Sequence, residues 1–174
     1  MPVFRKSTLQ DIDEMMEIVD SGKELLKGQG IDQWQKGYPN RELLVSDVRE
    51  GIGYVIEDAG SVVGVCAVTF TDEEAYRGIR NGAWLTPDTG VYATIHRGAI
   101  AEKSRGQGLT GFLFASVENM ARKKGAVSMR ADTHPENAGM QRSLEKAGFI
   151  RCGEIILSGG PEDGDMRVAY EKMI

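Results

Sequence analysis

The sequence predicts an α/β domain in which a mixed sheet of about six to seven strands is covered by about four helices. Three observations predict it. β-Branched and apolar runs lie near both ends of the chain, at Val3 to Ser7 and at Arg167 to Met173. Apolar stripes at helical spacing lie between them, the clearest over Leu109, Phe112, Leu113, Val117, Met120 and Ala121. A strand, a glycine-rich loop, that helix and a further strand follow one another from 91 to 133, the order of a βαβ unit.

The elements follow in order. Val3 to Ser7 reads as a strand, and Thr8 or Asp11 is placed to cap the helix after it, because a short side-chain oxygen satisfies free N–H groups. Ile12, Met15, Met16, Val19 and Leu26 form that helix's apolar stripe, and Gly28 and Gly30 end it. Ile31 to Tyr38 is a polar, aromatic connector closed by Pro39-Asn40, and Glu42 to Glu50 reads as a short second helix. Tyr54 to Ile56 and Val62 to Phe70, separated by Asp58-Ala59-Gly60-Ser61, predict a hairpin. Thr71 to Gly90 is a long mixed stretch, and connections of that length are often lids or binding loops. Val91 to Ala101 is a strand, with Gly98 marking a bulge or a close backbone approach. Gly125 closes the helix from Leu109, whose Arg122-Lys123-Lys124 end complements the helix dipole. Val127 to Thr133, Phe149 to Ser158 and Arg167 to Met173 are strands, and Asn137 to Ala147 is a helix stopped by Gly148. With neither repeat nor linker, residues 1–174 read as one domain.

Composition narrows the function. A chain of 174 residues, 41% hydrophobic and 27% charged, has core enough to fold without metal or disulfide. Its 21 Lys+Arg against 26 Asp+Glu leave a net charge of -5, which argues against nucleic acid as a partner. Mean hydropathy is -0.31, and no apolar run approaches the roughly 20 residues that span a bilayer. The opening Met-Pro-Val-Phe-Arg-Lys lacks the apolar run of a secretory signal. Cys66 and Cys152 lie in apolar strand context and read as buried thiols of a reducing compartment, so a cytoplasmic protein is expected. The 22 glycines are nearly double the ordinary share of about 7%.

The chemistry gathers at Arg105-Gly106-Gln107-Gly108, which opens straight into the helix at Leu109-Thr110. A helix start presents unpaired N–H groups and partial positive charge, and glycines let the main chain approach phosphate oxygens. Arg105 adds a planar charged fork. Neither a Walker loop nor GxGxxG is present. Together with Asn137 and Lys146-Ala147-Gly148-Phe149, this loop resembles the GNAT family of N-acetyltransferases. The family motif is Arg or Gln, two residues, Gly, one residue, then Gly or Ala; here it runs from Arg105 to Thr110, with Thr110 in place of the small residue.

The resemblance implies a GNAT-type sheet whose parallel fourth and fifth strands, Val91 to Ala101 and Val127 to Thr133, splay apart. It implies acetyl-CoA as co-substrate, the pyrophosphate resting on the main chain of Arg105, Gly106, Gln107, Gly108, Leu109 and Thr110. The pantetheine arm would lie along Ala99, Ile100 and Ala101, and Asn137 would touch the cofactor. Transfer to the primary amine of a small molecule or peptide would be direct, with a main-chain N–H near the strand bulge holding the oxyanion and no metal. The family's thiolate-protonating tyrosine falls at Leu144, leaving Tyr92, Tyr170 or water, although strand tyrosines also serve as packing. His96, His134 and the Glu73/Glu74 pair are candidate bases, against structural roles for each. Trp34, Tyr38, Tyr76 and Trp84 either wall an acceptor pocket or pin their loops to the core. Acidic Asp32, Asp72, Glu73, Glu74 and Asp88 favour a cationic amine, and the protein is expected as a monomer or homodimer. Two other readings stand beside this one: an acyl-CoA-binding sensor or scaffold without turnover, which Leu144 supports, and an unrelated phosphate- or nucleotide-binding α/β protein.

Overall fold

The hairpin turn at Ala59-Gly60 sets the first half of the sheet. Both residues have positive φ (49° and 80°), as a two-residue turn matching strand twist requires. It joins β2 (Gly53–Asp58) to β3 (Ser61–Thr69) in antiparallel register from Gly53↔Ala67 to Asp58↔Ser61, and β1 (Val3–Lys6) pairs with β2 on the other side. The computed structural model describes residues 1–174 apart from Asp88. Its strands form a seven-stranded mixed sheet in the order β1-β2-β3-β4-β5-β7-β6, where β4 is Tyr92–Ile100, β5 Ser128–Thr133, β6 Ile150–Ile156 and β7 Met166–Met173. The chain separates into two compact units, one of Met1–Thr69 with Ile95–Ser116 and one of Phe70–Thr94 with Val117–Ile174. β4 and the helix α4 (Leu109–Lys123) each contribute residues to both.

In the first unit α1 (Ile12–Gly28) turns Met15, Ile18, Val19 and Leu26 inward and packs against β3. A 3-10 turn at Leu9–Asp11 leads into it, with Asp11 Oδ2 accepting the Thr8 N–H at 2.7 Å. α2 (Arg41–Arg49) begins at Asn40, whose Oδ1 accepts the Leu43 N–H at 2.9 Å. β3 is buried from Val62 to Val68, the pattern of a central strand. The Ala101 N–H donates to Val63 O at 2.9 Å just past the end of β4.

In the second unit β4 starts with a parallel ladder to β5 that runs over Tyr92↔Ser128, Ala93↔Met129 and Thr94↔Arg130. β5 and β6 each pair antiparallel with β7. The stretch from 71 to 90 holds a short helix, α3 (Glu74–Arg77), which makes five α-helices among the described residues against the four the sequence suggests; α5 (Ala138–Lys146) is the fifth. Loop 81–87 lies hard against β6: a Cβ on Gly82 would sit 1.8 Å from Cys152 O. No helix among the described residues is long and apolar enough to cross a membrane.

Candidate active site

The glycine loop sits in the first unit. A 3-10 turn at Glu102–Ser104 follows β4, and Gly106 and Gly108 then take φ of 76° and 80°. A Cβ at either glycine would meet nothing within 4 Å, so open space borders the loop. Phe112 N–H makes the first helical bond of α4, to Gly108 O at 3.1 Å. Ahead of it stand the N–H groups of Leu109, Thr110 and Gly111, which a helix leaves without intrahelical partners. The Gln107 side chain folds back to donate to Lys103 O at 3.1 Å. The Arg105 guanidinium donates to Ser21 Oγ at 3.0 Å and to Ile100 O at 3.3 Å, tying the loop to α1 and to the end of β4.

β4 leads into this loop, and its backbone bulges out of extended geometry at Arg97, the residue before Gly98. Arg97 has φ of 54°, in the left-handed region that residues with a Cβ seldom enter, while a Cβ on Gly98 would meet open space. The Arg97 side chain is held bidentately by Asp47, Nε to Oδ2 at 3.0 Å and Nη2 to Oδ1 at 2.7 Å, and Nη1 donates to the Tyr38 hydroxyl at 3.2 Å. Beside it the His96 ring has Nε2 at 3.3 Å from Thr69 Oγ1. Ala99 packs on a cluster of Leu26, Ile31 and Trp34, and Trp34 is only 8% exposed.

The remaining candidates belong to the second unit. Nδ1 of His134 accepts the Glu136 N–H at 3.1 Å, and its carbonyl accepts the Asn137 N–H, so it braces the turn before α5. Asn137 Oδ1 accepts the Met140 N–H at 3.1 Å as that helix's N-cap. Glu73 precedes α3 and donates its N–H to the Tyr92 hydroxyl at 3.0 Å. Tyr76 is buried and donates to Asp132 Oδ2 at 2.7 Å; burial first, then the facing carboxylate, pushes its phenol well above the ordinary range. Trp84 donates to Tyr76 O at 2.8 Å and lies in the same packed cluster. The contacts of Trp34, Tyr76 and Trp84 are those of side chains that pin their loops. Tyr92 and Tyr170 are buried strand residues, and burial raises both phenols. Cys66 and Cys152 are free and buried. Asp88 lies outside the described residues. Among those residues, no three of His, Cys, Asp or Glu gather as a metal site would require.

Residues 16–149 match the model of the acetyltransferase (GNAT) family. The chain belongs to the GNAT family. It is similar to the crystal structure of a GNAT-family acetyltransferase from Streptococcus agalactiae, with 32% identity, TM-score 0.86, and coverage of 99% of this chain and 95% of that one. It also shares its fold with the ribosomal-protein-alanine N-acetyltransferase from Brucella melitensis (20% identity, TM-score 0.68, 99% of both chains). The same holds for AAC(6')-Ib, solved in complex with ribostamycin and coenzyme A (20% identity, TM-score 0.69, 99% of this chain and 93% of that one). No curated protein matches the sequence.

Two features of the structure escape sequence reasoning. One is the Arg97–Asp47 pair, whose members are separated by 50 positions. The only local signal is Asp47, a carboxylate on the face of α2 that also buries Leu44. The other is Arg130, flanked by the Trp84 and Tyr92 rings at 4.2 and 4.0 Å and bonded to Glu171, which fastens loop 81–87 to β5 and β7. Nothing in the local pattern of either strand announces a buried ion pair.

Proposed function

We propose that this protein is an acetyl-CoA-dependent N-acetyltransferase that passes an acetyl group directly to a primary amine of a small molecule or peptide. The observation that carries the reading is the pair of left-handed glycines, Gly106 and Gly108, opening onto free space at the start of a 15-residue helix. A diphosphate fits such a cradle, since backbone N–H groups and the positive end of the helix dipole face it together.

Acetyl-CoA supplies the thioester. The N–H groups of Leu109, Thr110 and Gly111 hold the diphosphate oxygens, and the Thr110 hydroxyl adds a donor where the family has a small residue. Ala101 spends its N–H on β3, so by strand alternation the Ile100 N–H points to the opposite edge, where it meets a pantetheine amide. The main-chain N–H groups at the Arg97 bulge donate to the thioester carbonyl oxygen as negative charge grows there. His96, next to the bulge, takes one proton of the acceptor ammonium. The neutral amine then attacks the thioester carbon, the carbon–sulfur bond breaks, and water relays the second nitrogen proton to the departing sulfur. No cysteine takes part. The family match takes in residues of both compact units, which supports reading 1–174 as one acetyltransferase domain, and buried free thiols go with a reducing cytoplasm.

One observation favours a second reading. Leu144 is 1% exposed at the position where many relatives carry their tyrosine acid, as a CoA-binding sensor without turnover would tolerate. Thiol release from acetyl-CoA against amines, amino acids, polyamines and peptides decides. Release with an amine supports transfer; tight CoA binding with no release across the panel overturns it in favour of the sensor.

A further inference from the structure

We propose that Asp47 and Tyr38 are positioning residues for acetyl transfer: through the Arg97 side chain they hold the β4 main chain in its left-handed bulge, which aims the N–H groups of Arg97 and Gly98 at the thioester carbonyl. The inference rests on the transferase reading and adds the residues that set its donor geometry.

A residue with a Cβ enters the left-handed region only where its surroundings over-determine it. Here they do. The Arg97 guanidinium is gripped at three points, two from Asp47 on α2 and one from the Tyr38 hydroxyl on the preceding connector. The pair is buried, with side-chain exposures of 11% and 4%, so breaking it in place leaves desolvated charges without partners. Glycine, the residue that suits such a conformation, stands one position later, yet the left-handed φ falls on Arg97. A Cβ there would meet open space, so the bulge borders room for a ligand. A left-handed residue also breaks the alternation of N–H directions along a strand, which turns adjacent amides toward one side. A bulge used only to bend β4 would be served by Gly98 at no cost; one that fixes donor direction profits from a rigid arginine brace.

The test compares two double variants that both remove the charge pair, so neither leaves a buried lone charge. In Asp47→Asn/Arg97→Ala, alanine has no brace and is expected to leave the left-handed region. The expected result is a kcat at least about tenfold lower, with KM for acetyl-CoA within about threefold of the parent. In Asp47→Asn/Arg97→Gly, glycine tolerates positive φ, and kcat is expected back within about threefold of the parent. A merely structural role would lower melting temperature in both and separate neither in kcat, so equal kcat values overturn the proposal. Should the doubles not fold, Asp47→Asn alone keeps the shape but loses the charge; an intermediate fall in kcat supports the brace and an unchanged kcat overturns it. A parent that binds acetyl-CoA yet releases no thiol overturns the transferase reading instead. The brace is then judged by a crystal structure of the alanine double variant, where a φ at residue 97 still near its parent value refutes it and a φ relaxed to the extended region upholds it.

Discussion

Arg130 donates from Nε to Glu171 Oε1 at 3.0 Å, with the two side chains 1% and 0% exposed. The same carboxylate accepts the Ser128 hydroxyl at 2.6 Å, the Thr86 hydroxyl, and the N–H groups of Leu85 and Thr86 at 2.5 and 3.2 Å. Burial alone would raise its pKa, yet the bonds from Ser128, Thr86 and Arg130 hold it below the ordinary glutamate range. Glu171→Ala strands a buried guanidinium and unfastens the 81–87 loop. The expected cost is about 3–5 kcal/mol in urea unfolding, whereas Arg130→Met/Glu171→Gln, which keeps an acceptor for the loop donors and leaves no lone charge, loses much less. Equal losses in the two variants would show that the pair's charges are not what holds the loop.

How much of this was legible beforehand depends on the range of the interaction. The hairpin at Ala59-Gly60, the helix start at Asn137 and the glycine loop before Leu109 are local: a few neighbouring residues dictate each, and each appears where the sequence puts it. The bulge was half legible, because Gly98 flags permissive backbone but only the contact between Arg97 and Asp47, 50 positions apart, moves the kink to its neighbour. The short helix Glu74–Arg77 was hidden for a related reason. It is four residues long, too short for a periodic stripe, and it is held from outside by the buried Tyr76 and its bond to Asp132. Trp34 and Trp84 make contacts of the pinning kind that the sequence offers as one of two readings: Trp84 bonds Tyr76 in its own connector, and Trp34 packs on Leu26 and Ile31.

Acid stability has a named contributor. Asp11 is held at about 2, down from 3.8, chiefly by hydrogen bonds from Arg5, with burial opposing and Thr8's N–H and hydroxyl adding to the effect. Its folded pKa lies below its unfolded one, so the stabilisation is present above the unfolded value and is lost as pH falls through the folded value. The shift corresponds to about 2 kcal/mol. Urea unfolding of Asp11→Asn should show that loss at pH 7, and the gap to the parent should close between about pH 4 and pH 2. A gap that stays constant across this range would remove Asp11 from the account.

The glycine cradle makes a prediction about affinity. Gly108 has φ of 80°, so Gly108→Ala strains the main chain by about 1–2 kcal/mol and puts a methyl into the space assigned to the diphosphate. Calorimetric titration with coenzyme A should give a Kd at least about tenfold weaker. Gly139→Ala, inside α5 at a position with no positive φ, serves as control and should bind as the parent does. Unchanged affinity in Gly108→Ala would place the ligand elsewhere.

The two histidines separate by readout. His134 braces a turn through Nδ1, so His134→Ala should lower stability by about 1 kcal/mol and leave the shape of the pH–rate profile intact. His96 stands beside the Arg97 bulge, and His96→Ala should reduce kcat about a hundredfold and flatten the acidic limb of the profile. If both variants keep that limb, the acceptor amine arrives already deprotonated and neither imidazole is the base.

Direct transfer also predicts silence from the thiols. Cys66 is 4% exposed in β3, and burial pushes its pKa up to about 12, so thiolate is scarce at neutral pH. Cys152 is raised by burial as well, with the Glu171 charge adding to it. In native protein both should resist a disulfide reagent over minutes and react only on denaturation. Cys66→Ala removes one sulfur from the core at a cost of about 1 kcal/mol and should keep kcat within about threefold. Rapid mixing with acetyl-CoA in the absence of amine should then show no burst of free thiol in parent or variant. A stoichiometric burst that disappears in Cys66→Ala or Cys152→Ala would replace direct attack by an acetyl-cysteine route.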